Sequence, residues 1–324
     1  VIEIVALSDA MREAVRLAER VAPTEANVLV TGESGAGKDA LAAFIHARSA
    51  RSDGPFVKID CAALPSELLE AELFGYERGA FTGATEGRPG RLEAAHKGTL
   101  VLDEIAHLST DAQAKLLRVI ERREFERLGG RKLIRVDARL VALTNVDLDD
   151  AVRRRAFRED LFYRLNVVRV HVPPLRERGA DVEKLARGFL KIYASKHGRA
   201  GTALLAEALA VLKAYDWPGN VRELANTVER AVIIAGDGRI GEADLPEAMR
   251  TSVELQRRAK QRLTLAELEA DYVRETLAAT KGNKAAAARL LGISRKNLYE
   301  KLARYGIVSS GQWSMVGKKP DTDH

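Results

Sequence analysis

Three glycines and a lysine stand in the run Gly32-Glu33-Ser34-Gly35-Ala36-Gly37-Lys38-Asp39. Residues of these types at this spacing suit one kind of chemistry. Glycines let successive main-chain N–H groups curl around an anion with no Cβ in the way. A lysine opening the next helix adds its full charge to the partial positive charge of the helix end. The pattern is a P-loop, a cradle for nucleotide phosphates, with one deviation: the position that ordinarily offers a hydroxyl to Mg²⁺ is Asp39. A second candidate is the acidic pair Asp103-Glu104, which closes the run Gly98-Thr99-Leu100-Val101-Leu102. A carboxylate there, Asp103, can hold Mg²⁺ through water, and its neighbour Glu104 can polarise the attacking water. Together with the P-loop upstream, the pair points to nucleotide hydrolysis.

Two further candidates read two ways. Asn145, in Leu143-Thr144-Asn145, is either a turn former at a strand end or an amide that orients the water or senses the γ-phosphate. Arg158 and Arg164 read first as surface partners of Glu159 and Asp160, and second as charges offered to a neighbouring subunit's γ-phosphate.

Such groups need strand ends to carry them. Apolar runs at Val28–Thr31, Phe56–Asp60, Thr99–Asp103, 140–144 and 167–172 alternate with helical patterns. This is the signature of an α/β fold, a parallel sheet with helices on both faces that binds ligands at the carboxyl ends of its strands. An amphipathic helix with Met11, Val15, Leu17, Ala18 and Val21 on its apolar side precedes the first strand, and Pro173-Pro174 ends the last. An ATPase-like part over 1–174 is expected. From 175 to 248 the pattern is helical throughout, with candidates at 182–195, 203–215 and 221–235, and reads as a separate helical subdomain. Residues 249–263, polar and charged, read as a linker. A capping box at Thr264 and Glu267 opens a last unit over 264–308, and residues 309–324 read as a disordered tail.

Composition sets limits. A chain of 324 residues holds two or three domains. No apolar run is long enough to span a bilayer and no signal peptide opens the sequence, so no membrane is expected. The single cysteine, Cys61, excludes an internal disulfide, fits a reducing cytoplasm and reads as a small buried hydrophobe. The six histidines show no metal-ligand spacing. The net charge of +6 matters only where basic residues cluster.

They cluster near the end. A helix with Leu265, Leu268, Tyr272, Val273 and Leu277 on its buried side is followed by a helix capped by Asn283 and, after Gly292-Ile293-Ser294, by one capped by Ser294. Two short helices joined by a Gly-containing turn make a helix-turn-helix. From Lys284 to Arg304 there are six basic residues and one acidic residue, Glu300. Arg295, Lys296 and Asn297 open the recognition helix at its groove-facing end; Lys284, Ser294, Tyr299 and Lys301 complete the candidate DNA-binding set.

The segment Glu72-Leu73-Phe74-Gly75-Tyr76-Glu77-Arg78-Gly79-Ala80-Phe81-Thr82-Gly83-Ala84 resembles the loop of the sigma-54-dependent transcriptional activators, the NtrC-like enhancer-binding proteins of the AAA+ class. Gly79, Ala80, Phe81, Thr82, Gly83 and Ala84 are then the sigma-54 contact. Residues 32–38 look like the family's Walker A motif, in which an acidic residue after the lysine is usual, and 98–104 look like its Walker B. Thr144 and Asn145 fall on sensor I, and Arg158 and Arg164 on paired arginine fingers. Trp217-Pro218-Gly219-Asn220-Val221-Arg222-Glu223-Leu224 falls on the lid signature, with Arg222 the sensor II arginine. The last unit resembles the Fis-type domain in Gly282-Asn283-Lys284 and in the pattern from Ala287 to Leu302.

The resemblance implies an ATPase using ATP and Mg²⁺. It works as a ring, usually a hexamer, that is a dimer when inactive, and stands in a two-component setting. Hydrolysis between subunits drives the Phe81 loop against the sigma-54 RNA polymerase holoenzyme, while the last unit holds double-stranded enhancer DNA. The alternatives are another AAA+ machine that loads or remodels DNA-bound proteins, and a regulator whose ATPase part is structural. One departure bears on control: Asp60 stands where the family usually has an Asn that restrains the Walker B glutamate. An ionised Asp cannot donate that hydrogen bond, so weaker restraint of Glu104 is expected, unless Asp60 faces solvent or a lysine.

Overall fold

Near-continuous apolar runs, whose successive side chains turn to opposite faces, build the scaffold. The computed structural model describes residues 4–236, 238–260 and 264–307. The chain divides into two units, residues 1–250 and 251–324. The first begins α1 (Asp9–Val21), β1 (Val28–Thr31), α2 (Lys38–Ala47), β2 (Phe56–Asp60), α3 (Ser66–Phe74), β3 (Gly75–Tyr76), β4 (Arg88–Pro89), α4 (Arg91–Ala94) and β5 (Thr99–Asp103). It continues α5 (Thr110–Arg122), β6 (Glu124–Glu126), β7 (Leu133–Arg135), β8 (Arg139–Thr144), α6 (Leu148–Arg153), α7 (Glu159–Leu165) and β9 (Val168–His171). Five strands form one parallel sheet in the order β2-β5-β8-β1-β9.

Leu29, Leu100, Leu102, Leu140 and Ala142 point to one face and pack with Leu69, Leu73, Leu116, Leu161 and Leu165 from α3, α5 and α7. Val28, Val30, Val101, Val141, Leu143 and Val170 point to the other, against Met11, Ala14, Ala18 and Val21 of α1 and Leu41, Ala42 and Ile45 of α2. Each buried side chain of this size stabilises by about 1.5–3 kcal/mol, so a one-residue slip of register is costly on both faces. Val15 and Leu17, expected on the buried side of α1, are only partly buried, and Ala14 takes the place between them.

The helical part that follows holds α8 (Gly179–Lys196), β10 (Ala203–Leu204), α9 (Ala206–Ala214), α10 (Asn220–Ile234), β11 (Arg239–Ile240) and α11 (Glu247–Lys260). It is not helical throughout: residues 203–204 pair with 239–240, which delays the second helix to Ala206. The segment expected to be a linker is helical as far as Lys260. Glu, Gln, Arg, Ala and Met are strong helix formers, and Met249 and Val253 are buried, which a composition reading of polar residues overlooks. Residues 261–263 and the expected tail at 309–324 lie outside the described residues.

The second unit contains α12 (Leu265–Ala279), α13 (Lys284–Leu290) and α14 (Arg295–Arg304) around Val273, Leu277, Ala287, Ala288, Leu298 and Leu302. Thr264, Asn283 and Ser294 cap these helices through their side-chain oxygens, as their positions predict. Leu265, Leu268 and Tyr272 are not buried, being 86%, 45% and 61% exposed. The reason is the face used: Ala270, Val273 and Leu277 form the buried stripe, and Leu265, Leu268 and Tyr272 lie on another side of α12, Tyr272 being exposed between buried Ala270 and Val273.

Candidate nucleotide site and partner-facing surfaces

Register gathers the candidate groups at one end of the sheet. Thr31 lies beside Thr144 and His171, and Asp60 beside Asp103, so the loops after β1, β2, β5 and β8 open side by side. The turn after β1 needs its glycines: Gly35 and Gly37 have φ of +75° and +105°, and a Cβ on Gly35 would stand 2.5 Å from the Gly219 carbonyl oxygen. Gly37 leads directly into α2, whose first-turn N–H groups have no intrahelical acceptor. Lys38 is 6% exposed. Its ammonium donates to the carbonyls of Gly32 and Glu33 at 2.9 and 3.2 Å and stands 3.7 Å from Glu104 Oε1.

Glu104 follows β5 in a left-handed conformation, φ 51°, which costs a non-glycine residue about 1–2 kcal/mol. Its Oε2 accepts the Asn145 main-chain N–H at 3.2 Å, so the contact between these residues runs through the backbone of Asn145. Asp103 accepts the Glu104 N–H at 3.0 Å on Oδ1 and the Lys58 ammonium at 2.8 Å on Oδ2. The same ammonium meets Asp39. Partial burial opposes the charge on Lys58, but hydrogen bonds to Asp103 and Asp39 hold it above the ordinary lysine range. Asp60 turns to its own loop, accepting the Ala62 N–H at 2.9 Å. Cys61 is buried as expected; burial first, then the charges of Asp60, Asp103 and Glu104, push its thiol up to about 12.

The helical part closes over this end. Glu33 accepts Arg176 in a two-pronged contact at 2.9 and 2.6 Å and the Asn220 amide at 3.1 Å. Those bonds, Arg176 first, lower its carboxyl to about 2. Arg222 donates to Ser34 Oγ at 3.1 Å. Behind the loop, the fully buried Asp181 accepts the N–H groups of Leu7 and Ser8 at 2.6 and 3.0 Å, the Ser8 hydroxyl at 3.1 Å and Arg178 Nε at 2.9 Å. Arg178 also donates to the Ala36 carbonyl at 3.1 Å and the Val5 carbonyl at 3.3 Å. A cavity of about 210 Å³ results, walled by Ser34, Lys38, Asp39, Asp103 and Glu104 on one side and by Phe189, Val221, Arg222 and Ala225 on the other.

Among the described residues no group of three or more His, Cys, Asp or Glu is arranged to hold a metal by itself. Mg²⁺ bound with phosphates needs only one or two carboxylates, and Asp103 and Asp39 are hard oxygen donors of that kind, so the residues fit the ion. Arg158 and Arg164 are not among the residues lining the cavity. Arg158 pairs with Asp160 at 2.7 Å and Arg164 with Glu121 at 3.2 Å, both on the surface.

Sequence reasoning missed Lys58, Arg176, Arg178, Asp181 and Phe189. Only Lys58 carried a signal: alternation along β2 turns Val57 and Ile59 to the core and sends Lys58 to the same side as Asp60.

Residues 79–84 form a loop between β3 and β4. Its neck is closed by the Gly79 N–H bonding the Ala84 carbonyl at 2.8 Å. Arg127 braces the base, bonding Glu93 at 2.8 Å and Glu77 at 3.2 Å. Phe81 is 43% exposed at the tip, its ring edge-on to Tyr76 at 5.0 Å. Thr82 beside it is exposed. In the second unit Arg295, Lys296 and Asn297 are exposed at the start of α14, and Tyr299 lies 5.1 Å from the Lys284 ammonium. The Ser294 hydroxyl caps α14, and Lys301 is held by Glu269 of α12, so these two are already engaged within the unit.

Residues 4–171 match the family described as Sigma-54 interaction domain, 176–262 the AAA+ ATPase lid domain, and 264–305 the Bacterial regulatory protein, Fis family. The lid match takes in the polar segment carried by α11. The chain is 45% identical over 312 residues to the transcriptional regulatory protein FlbD of Caulobacter vibrioides, covering 91% of this chain and 69% of that one. It is 45% identical to the regulatory protein AtoC of Escherichia coli, covering 93% of this chain and 67% of that one. The crystal structure of NtrX from Brucella abortus in complex with ATP superposes with a TM-score of 0.73 at 37% identity, covering 94% of this chain and 70% of that one. Among the described residues no helix is long and apolar enough to cross a membrane.

Proposed function

The chain belongs to the sigma-54 activator family, with an AAA+ ATPase part and a Fis-type helix-turn-helix, and from that premise we propose that it couples ATP hydrolysis to the opening of promoters held by sigma-54 RNA polymerase. The N–H groups of the P-loop and Lys38 take the phosphates and offset the charge that develops on the transferred phosphoryl oxygens. Glu104 polarises the attacking water, with Asn145 beside it. Arg222 follows the phosphates from the lid. Asp103, through water, and Asp39 beside it would hold Mg²⁺, which would supply charge neutralisation for the phosphate oxygens. Glu33 acts through the lid, since its carboxylate is taken by Arg176 and Asn220.

Arg158 and Arg164 serve a neighbouring copy's nucleotide, which makes the working form a ring, a hexamer by the family's habit. Arg164, exposed on α7, and Arg158, partly exposed at its N-cap, both lie outside their own cavity, which supports that role. Asp60, bonded to its own loop, gives Glu104 no amide donor, which supports a weaker restraint than an Asn there provides. Arg295, Lys296 and Asn297 meet the DNA.

One observation carries the reading: a half-exposed phenylalanine stands at the tip of a braced loop on the same α/β body that holds the P-loop and Glu104. The experiment is Phe81→Ala, with ATP turnover and promoter opening measured side by side; retained turnover with lost opening is expected.

A further inference from the structure

Lys58 binds the oxygens that a divalent ion would use. Its ammonium lies 2.8 Å from Asp103 Oδ2 and also contacts Asp39, with its side chain 37% exposed. The two carboxylates come from different elements, Asp39 from the first turn of α2 and Asp103 from the end of β5, and no helix or strand geometry obliges a cation to lie between them. Lys58 reaches the spot because β2 is an edge strand paired in register with β5, Lys58 opposite Val101 and Asp60 opposite Asp103. The other lysine of the site is engaged elsewhere: Lys38 faces Gly32, Glu33 and Glu104. Each acidic group thus has its own cation, Lys38 for Glu104 and Lys58 for the Asp39–Asp103 pair.

We propose that Lys58 is an internal counter-cation that competes with Mg²⁺ for Asp39 and Asp103, holding the site ready for nucleotide and ceding Asp103 to the ion when the metal nucleotide arrives. The inference rests on the reading of Asp103 as the Mg²⁺-holding carboxylate. Two uncompensated carboxylates beside the P-loop repel incoming phosphates, and one ammonium between them removes much of that repulsion. A positively charged side chain with this role matters only while the ion is missing, because a divalent cation at Asp103 does the same work more strongly.

The test measures binding rather than turnover. A fluorescent ADP analogue is titrated into the full chain, once with EDTA and once with saturating Mg²⁺, for the parent, Lys58→Met and Lys58→Arg. Repulsion between an uncompensated carboxylate and the phosphates predicts that Lys58→Met binds about fivefold more weakly in EDTA. In saturating Mg²⁺ the parent and Lys58→Met should agree within about twofold, and Lys58→Arg, which keeps the charge, should recover most of the EDTA loss. Thermal unfolding of each variant with Mg²⁺ nucleotide reports that it is folded. An equal loss with and without Mg²⁺ would make Lys58 a structural or phosphate-touching residue and overturn the proposal, as would no loss in either condition. If the parent itself binds the analogue equally well in EDTA and Mg²⁺, the reading of Asp103 fails first, and this result is distinct from the other two.

Discussion

The pair Arg178 and Asp181 ties three parts of the ATPase unit together, and its two members should not be equally costly to lose. Asp181→Ala removes the acceptor of four donors, from Leu7, Ser8 twice and Arg178, and leaves the Arg178 charge, 4% exposed, without its partner. Breaking a buried ion pair in this way costs about 3–5 kcal/mol. Arg178→Met leaves Asp181 with the three donors of Leu7 and Ser8, at the start of α8 where the helix end favours a negative charge. The carbonyls of Ala36 and Val5 lose a donor, at about 1 kcal/mol each or less, so about 2 kcal/mol in all is expected. At about 2–4 °C per kcal/mol for a unit of this size, Asp181→Ala should lower the unfolding temperature by roughly 6–20 °C and Arg178→Met by roughly 4–8 °C, about half as much at the same conversion. Thermal unfolding followed by circular dichroism reads both. A larger loss for Arg178→Met than for Asp181→Ala, or losses below about 2 °C for both, would refute the reasoning.

Two more outcomes follow from single contacts. Glu33 has its carboxyl lowered from 4.5 to about 2, so its stabilising contact with Arg176 is fully present above pH 4.5 and is lost as pH falls towards 2. The stability difference between the parent and Glu33→Gln, from urea unfolding, should therefore be constant above about pH 5 and shrink below it; a difference that stays constant down to pH 3 contradicts the contact. Arg295→Ala should weaken binding of enhancer DNA by about tenfold or more in a gel-shift titration at fixed salt, with ATP turnover unchanged, and unaltered DNA affinity would remove Arg295 from the interface.

Much of the scaffold was legible because its strands are short apolar runs bounded by turn residues. Val28–Thr31, Phe56–Asp60 and Thr99–Asp103 are strands at the expected residues. The P-loop glycines, Lys38, Asp103 and Glu104 are gathered because motif spacing encodes where strands end. The errors have a common cause in what packing decides. Leu265, Leu268 and Tyr272 have the periodicity of a buried stripe, but α12 packs through Ala270, Val273 and Leu277, and no sequence pattern reports which of its two apolar stripes the partner helices cover. The helix at Glu247–Lys260 is polar enough to pass for a linker, and its propensity was outweighed in the reading by its charge. The groups that close the site from behind reach across more than a hundred positions, Asp181 to Leu7, Arg178 to Ala36 and Arg176 to Glu33, and nothing in local spacing marks those contacts. Arg158 and Arg164 were read two ways, and within one copy of the chain they pair with Asp160 and Glu121.

The central claim is that hydrolysis at the P-loop acts on sigma-54 through the tip of the loop at Phe81. The direct measurement follows promoter melting by permanganate footprinting on a sigma-54 holoenzyme closed complex, with phosphate release recorded in the same reaction. Truncating a half-exposed aromatic anchor removes about 2 kcal/mol or more of engagement, so Phe81→Ala should reduce open complex about thirtyfold while phosphate release stays within about twofold of the parent. Open complex at the parent's level from Phe81→Ala, with unchanged phosphate release, would contradict the account.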